Sequence, residues 1–165
     1  VFRKDSISPE EDDSYFHQKF PEPTIENRDS LLFNFRDFII TSDSLTFSNE
    51  ISEWVDLDNI IDWHLLLLLS HNGDGLLKNF YLYKLSSNDP LKVIPWDYDH
   101  SAGRDGDNEL NLRNTFMDDD RNILLDRLMT LNAHNYNNKR CRRWWVLRET
   151  DLFTDDNIVH QIDIL

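Results

Sequence analysis

The stretch 71–99 constrains the fold of this chain more than any other. Two runs rich in aromatic and aliphatic residues, 80–84 and 91–96, are typical of strands, and the turn-forming residues 86–90 connect them. This pattern predicts a β-hairpin. The chain has four glycines, all in or just after this stretch: Gly73, Gly75, Gly103 and Gly106. Backbone conformations that other residues resist are therefore concentrated beside the predicted hairpin.

The register of this hairpin would bring polar side chains together at its open end. If Leu85 pairs with Leu91, then Asn79 pairs with Asp97. Asp74 would lie close by, in the loop before the first strand. A carboxylate, an amide five residues later, a hairpin and a second carboxylate follow one another as they do in the catalytic and metal-binding segments of protein kinases. Plain turns beside a hairpin are the alternative, because this spacing alone is a weak signal.

These residue types suit phosphoryl transfer, which needs positioned oxygens more than covalent chemistry. Asp74 suits the catalytic role of orienting a hydroxyl and accepting its proton. Asn79 and Asp97 suit the binding of Mg²⁺ or Mn²⁺, and Asp99 either adds a second carboxylate or faces solvent. Lys78 is a candidate for contacting a cofactor phosphate, although a lone exposed lysine is usually only solvated.

Residues on either side of these candidates have structural interpretations. We expect His71 and Asn72 to shape the loop by hydrogen bonding rather than to act in catalysis. The basic run 139–148 is open to three interpretations: it binds phosphate, pairs with the acids of 97–120, or forms a salt-bridged helix face.

Composition narrows the class of protein. With 165 residues, 39% of them hydrophobic and 12% aromatic, the chain is long and apolar enough for one globular domain. Its net charge of −14 argues against a nucleic-acid partner and suits divalent cations or a basic protein substrate. The longest apolar run, 65–69, is too short to span a membrane, and the single Cys141 excludes an internal disulfide.

Apolar periodicity predicts an α+β fold that is mostly helical. Residues 1–28 are expected to form an irregular lead-in with a short helix near 14–20, and 29–165 a single domain. A long acidic loop is expected over 98–120. Helices are predicted at six places: 29–41, 47–54 (a helix or a turn), 58–70 with Asp58 as N-cap, 121–131, 135–148 and 155–165.

Three segments resemble the spore coat protein H (CotH) kinase family, a family of bacterial atypical protein kinases. They are VDLDNIID at 55–62, NGD…NFYLYK within 72–84, and IPWDYD at 94–99, followed by Gly103. The leucine-rich and Arg-Trp pattern of 122–148 is similar to the later helices of the same family, so the resemblance covers 45–165. The Pro-Trp-Asp-x-Asp segment is its most specific part.

The resemblance implies a kinase-like C-terminal lobe with the hairpin between its catalytic loop and its metal-binding aspartate. Asp74 would be the catalytic aspartate, Asn79 a metal ligand and Asp97 the main metal-binding residue. The implied reaction is transfer of phosphate from ATP, with Mg²⁺ or Mn²⁺, to serine of a protein substrate that is basic or rich in serine. The implied location is the spore coat, the cell surface or outside the cell.

The chain departs from the kinase pattern before Gly73. No glycine precedes that residue, so the sequence has no glycine-rich loop that could bind the phosphates of ATP. The N-terminal, ATP-binding lobe of a kinase is therefore absent or lies upstream of Val1. We therefore expect a piece of a longer protein that is inactive as a kinase by itself. The alternative function is a non-catalytic coat or cell-surface module that keeps the fold and binds a cation. An EF-hand starting at Asp97 is excluded, since Ala102 and Asn108 stand where Gly and Glu are required.

Overall fold

The computed structural model describes residues 2–4, 16–22, 30–99, 101, 122–150 and 152–163. Over these ranges the fold is α+β and mostly helical, as predicted. A short 3₁₀ turn, Ala133–Asn135, precedes the sixth α-helix. The elements in chain order are β1 (Phe2–Lys4), β2 (Phe16–Gln18), α1 (Ser30–Thr41), α2 (Ser44–Trp54), α3 (Leu57–Ser70), α4 (Gly73–Leu77), β3 (Phe80–Tyr83), β4 (Lys92–Pro95), α5 (Ile123–Thr130), α6 (Tyr136–Glu149) and α7 (Asp155–Asp163).

The predicted lead-in contributes two strands to the sheet. The strand order is β2-β1-β3-β4, and every neighbouring pair is antiparallel. The prediction that the lead-in is irregular is therefore wrong for 2–4 and 16–18. The prediction of a short helix near 14–20 is also wrong for 16–18, which form a strand. The reason is a long-range pairing, with Phe2 opposite Leu82, which local composition does not reveal. Residues 5–15 and 23–29 lie outside the described part of the chain.

The predicted hairpin is confirmed, but its register differs by one residue. Phe80 lies opposite Pro95, so that Asn79 faces Trp96 rather than Asp97. The Trp96 backbone N–H donates to the Asn79 carbonyl oxygen at 2.9 Å, which extends the ladder by one bond. Asn79 and Asp97 still lie at the open end, displaced by one position.

Leu91 explains the shift. Instead of pairing with Leu85, it pairs in parallel with Val55: its N–H donates to the Trp54 carbonyl at 2.8 Å and its carbonyl accepts from the Asp56 N–H at 2.9 Å. Leu91 is 1% exposed and Leu85 81% exposed, so burial favours this alternative pairing.

The outer edge of β4 is closed by the junction of α2 and α3. The Asn59 side chain donates from Nδ2 to the Val93 carbonyl at 3.2 Å and accepts at Oδ1 from the Val93 N–H at 2.6 Å. Lys92 Nζ lies 3.2 Å from Asp56 Oδ2. Asp56, not the predicted Asp58, is the N-cap of α3, since its carboxylate accepts from the Asn59 N–H at 3.0 Å. One junction thus begins α3 and satisfies an edge strand.

Helix α3 is the centre of the core. It packs against both β4 and α6. Ile60 and Leu67 are fully buried, and the Trp63 ring lies 5.0 Å from the Phe80 ring of β3. No helix within the described ranges is long and apolar enough to cross a membrane.

The other predicted helices are confirmed with small changes in their bounds. Helix α2 begins at Ser44, three residues earlier than predicted, because Asp43 caps it. The Asp43 carboxylate accepts from the Leu45 and Thr46 N–H groups at 2.9 Å. Arg127 of α5 binds the end of α1 through the Ile39 and Ser42 carbonyl oxygens. The predicted acidic loop lies almost entirely outside the described residues.

The basic run of α6 is partly a salt-bridged helix face. Arg143 makes a two-bond contact with Asp62 at 2.7 and 3.0 Å, which raises the pKa of the arginine. Arg148 donates to the Phe153 carbonyl at 2.7 Å and to Asp155 at 3.1 Å. These contacts support the salt-bridge interpretation for two members of the run.

A buried histidine joins α3 to α6. His64 Nδ1 lies 2.9 Å from the Tyr136 hydroxyl, and Arg140 approaches Nε2 at 3.2 Å. Burial, assisted by the Arg140 charge, lowers the pKa of His64 to about 3, so the imidazole is neutral in the folded protein.

Replacing Asn59 by alanine should lower the free energy of unfolding by about 1–3 kcal/mol, because both Val93 backbone groups lose their partner. Urea denaturation measures the change. Asn49→Ala, at an exposed position of α2, is the matched control and should have little effect. Equal stability of the two variants would contradict the role given to Asn59.

Stability should fall as the pH falls from about 6.5 towards 3. Over this window the unfolded chain takes up a proton at His64 that the folded protein excludes. The slope approaches about 1.4 kcal/mol per pH unit at its steepest. Urea denaturation between pH 7.5 and 4.5 should show a flatter profile for His64→Gln than for wild type. The control, His160→Gln on exposed α7, should keep the wild-type slope.

Candidate functional site

The turn that carries Asp74 is fixed by Asn72. Helix α3 ends at His71, which adopts a left-handed conformation (φ 49°), and Asn72 then caps α4. Asn72 is fully buried, and its Oδ1 accepts from the Gly75 N–H at 2.7 Å. The expectation that Asn72 shapes this loop by hydrogen bonding is confirmed.

Asp74 lies in the first turn of α4 beside Lys78. Asp74 Oδ2 and Lys78 Nζ are 3.0 Å apart, and the two side chains are 30% and 31% exposed. The Lys78 N–H also donates to the Asp74 carbonyl oxygen at 2.8 Å, which closes the turn. A pair exposed to this extent is weak and exchangeable, so a stronger anion can compete for the ammonium group.

Asn79 and Asp97 come together at the open end of the hairpin. Both adopt left-handed conformations, with φ of 61° and 57°. Asparagine and aspartate tolerate this conformation better than most residues. The Asn79 Nδ2 donates to the Asp97 backbone carbonyl at 3.3 Å, which leaves the amide oxygen Oδ1 available as a ligand. The Asp97 side chain is exposed.

The donors at this end suit Mg²⁺ or Mn²⁺ in chemical type. Asp97 and Asp99 are exposed carboxylates, and Asn79 offers an amide oxygen. No group of three or more His, Cys, Asp or Glu side chains in the described part of the chain could hold a metal ion. A cation here would therefore complete its shell with water or phosphate oxygens, as Mg²⁺ usually does.

The predicted residues form two small groups. Asp74 and Lys78 form one group. Asn79, which directly follows Lys78, and the Asp97 backbone form the other. Among the described residues, no hydrogen bond or ion pair joins the two groups through their side chains. The functional roles assigned to these residues stay predictions.

Sequence reasoning missed Asn122, the N-cap of α5, which binds the turn of Asp74 through its side chain. Its Nδ2 donates to the Leu76 carbonyl of α4 at 2.8 Å, and its Oδ1 caps α5 by accepting from the Leu125 N–H at 3.2 Å. An asparagine directly before an apolar helical pattern is a typical N-cap signal and could have indicated the second contact. Nothing in the sequence indicated the first.

Gly75 is required by close packing. A Cβ atom at this position would lie 2.9 Å from Leu67 Cδ2, 3.1 Å from the Tyr98 hydroxyl and 3.2 Å from Asn72 Cγ. At Gly73 the same atom would meet nothing within 4 Å. The turn of Asp74 is thus pressed against α3 and against the segment that follows Asp97.

Comparison with known proteins settles the family. The family model described as CotH kinase protein matches residues 3–165. The chain belongs to the CotH kinase family. The predicted resemblance is thereby confirmed, and it extends further towards the N-terminus than 45.

A curated relative supports this assignment. The inner spore coat protein H of Bacillus subtilis (strain 168) is 37% identical over 59 residues, which cover 36% of this CotH-family chain. The matched stretch spans 16% of that protein's length. No solved structure matches.

Gly75→Ala should lower the free energy of unfolding by about 1–3 kcal/mol, because the added methyl group overpacks the contact with α3. Gly73→Ala is the matched control in the same helix. It should be neutral or stabilising by up to about 1 kcal/mol, since alanine is the better helix former. Thermal or urea denaturation of the two variants measures the difference, and equal effects would contradict the packing described for this turn.

Proposed function

We propose that this chain forms the catalytic-loop part of a metal-dependent protein serine kinase. The observation that carries the proposal is the hydrogen bond from Asn79 to the Asp97 backbone at the end of the hairpin, with Asp74 five residues earlier on a turn held by Asn72. Membership of the CotH kinase family supports it. The kinase-like architecture of the lobe is part of this proposal.

Asp74 acts on the acceptor hydroxyl. Its carboxylate is partly exposed at the start of α4, where it can orient a serine side chain and take its proton. In the absence of substrate, the Lys78 ammonium group is paired with the Asp74 carboxylate. A phosphate oxygen competes with Asp74 for the Lys78 ammonium group. When the ammonium group moves to the phosphate, the Asp74 carboxylate is free to bind the hydroxyl.

Asn79 and Asp97 would hold Mg²⁺ or Mn²⁺, with Asp99 as a further carboxylate. The ion, when bound, supplies positive charge against the phosphates of ATP. The hydrogen bond fixes the Asn79 amide against the Asp97 backbone, so this chain's own contribution is an amide oxygen held at the segment that carries the Asp97 carboxylate.

The substrate is proposed to be a protein with an accessible serine in a basic or serine-rich segment. A chain with a net charge of −14 attracts basic segments and repels acidic ones. By analogy with the curated relative, we place its action at a spore coat, with the cell surface or an exported location as the alternatives.

A non-catalytic coat module is the second candidate. Two observations favour it: the relative is named as a coat protein, and Lys78 forms an ion pair with the carboxylate proposed as the catalytic group. The two candidates differ in one measurable property, which is the transfer of phosphate.

Asp74→Asn and Asp97→Asn should each abolish phosphate transfer from radiolabelled ATP to protein serine in the full gene product. The first variant removes the proton acceptor and the second removes a metal ligand. Asp89→Asn, in the turn between β3 and β4, is the control and should retain wild-type transfer. Normal labelling by the Asp74 variant would refute the catalytic assignment, and no labelling by wild type with any metal would favour the coat module.

Mn²⁺ should bind this chain weakly in the absence of nucleotide, and Asp97→Ala should weaken that binding further. The reason is that the protein supplies only part of the shell. NMR line broadening during a Mn²⁺ titration should centre on residues 79 and 97–99 in wild type. Identical broadening in Asp97→Ala and wild type would exclude this site, and Asp89→Ala serves as the control for general surface charge.

A further inference from the structure

The buried side-chain atoms that have no hydrogen-bond partner among the described residues include Trp63 Nε1, Asn72 Nδ2 and the Tyr98 hydroxyl. Trp63 is 3% exposed and Asn72 is fully buried. Buried polar groups are normally hydrogen-bonded, so three together call for an explanation. The proposed function uses none of these atoms.

The three groups belong to one region under the turn of Asp74. The Tyr98 hydroxyl and Asn72 Cγ would lie 3.1 and 3.2 Å from the same point, the Cβ position of Gly75. Burial raises the pKa of Tyr98 to about 12, and a contact with the Trp63 side chain acts in the opposite direction. The indole, the amide and the hydroxyl are therefore neighbours.

Only one of these groups can accept a hydrogen bond from the others. The Trp63 indole and the Asn72 amino group are donors, and the Asn72 carbonyl oxygen already accepts from the Gly75 N–H. Among the three unpartnered atoms, the Tyr98 oxygen is the acceptor. It can accept directly or through one buried water, which typically bridges about three such groups.

Tyr98 also follows Asp97 directly in the chain. The backbone is held on both sides of Tyr98. Before it, the Asp97 carbonyl accepts from Asn79. On the other side the Tyr98 carbonyl accepts from the Ser101 hydroxyl at 2.6 Å. The Tyr98 ring then reaches back under Gly75 and links the segment of Asp97 to the turn of Asp74.

We propose that Tyr98 is a positioning residue of the candidate site, whose hydroxyl accepts, directly or through one buried water, from Trp63 and Asn72 and so fixes residues 97–99 against the turn 72–75. This contact sets the separation of the Asp74 and Asp97 carboxylates. The roles of those two carboxylates rest on the proposed function, whereas the contact itself does not. In this proposal Tyr98 acts through the two segments that it joins and not on substrate or metal.

Tyr98→Phe tests the contact, because it removes only the hydroxyl. Tyr83→Phe is the matched control, since that tyrosine is half-buried in β3 and its hydroxyl has no hydrogen-bond partner among the described residues. Amide hydrogen exchange by NMR should become at least about tenfold faster at Gly75 and Lys78 in Tyr98→Phe. Exchange in α6 should stay unchanged, and Tyr83→Phe should leave all these rates as in wild type.

Unchanged exchange at Gly75 and Lys78 in Tyr98→Phe would overturn the proposal. Uniformly faster exchange, with α6 affected equally, would also overturn it, because it would show a general loss of stability rather than a local contact.

A second readout separates positioning from mere packing. In wild type, bound Mn²⁺ should broaden the amide signals of residues 73–75 together with those of 97–99. In Tyr98→Phe the broadening at 73–75 should decrease relative to that at 97–99, because the two segments lose their fixed separation. An unchanged ratio would overturn the positioning role.

The two proposals fail differently. If wild type shows no Mn²⁺ broadening but Tyr98→Phe accelerates exchange locally, the metal site of the proposed function is wrong and the Tyr98 contact stands. If Mn²⁺ binds as proposed and exchange is unaffected, the Tyr98 contact is wrong and the metal site stands.

Discussion

The two hydrogen bonds between the Asn59 side chain and the Val93 backbone are the contact on which the rest of the structure depends. They satisfy the free edge of β4 with a side chain of α3 instead of another strand. The strand is thereby fixed against the start of α3. Because Asp97 follows β4 by two residues, its position depends on this contact.

The same helix also positions the second half of the candidate site. Helix α3 ends at the left-handed His71, and the buried cap Asn72 then begins the turn that carries Asp74. One end of a 14-residue helix thus holds the hairpin and the other end presents the candidate catalytic aspartate. A single rigid element is a suitable frame for groups whose separation matters, since misplacement by about 1 Å can cost on the order of a hundredfold in rate.

Local patterns predicted the helices and the hairpin because apolar periodicity and turn residues are local signals. The one-residue error in register arose because Leu91 pairs with Val55, a contact 36 positions away that no local pattern records. The strands at 2–4 and 16–18 were missed for the same reason. Asn59 and Asn122 were missed because their side chains bind the backbone of distant elements, 34 and 46 positions away. The acids and amide of the candidate site were predicted from their order along the chain, and their roles stay predictions.

A crystal structure of the full gene product with Mn²⁺ and a non-hydrolysable ATP analogue would test the central claim most directly. We expect an anomalous Mn²⁺ peak about 2.1 Å from an Asp97 carboxylate oxygen and from Asn79 Oδ1. We also expect that the Asp74 carboxylate faces the terminal phosphate and that Lys78 has left it. A metal bound elsewhere, or a nucleotide remote from Asp74, would contradict the account.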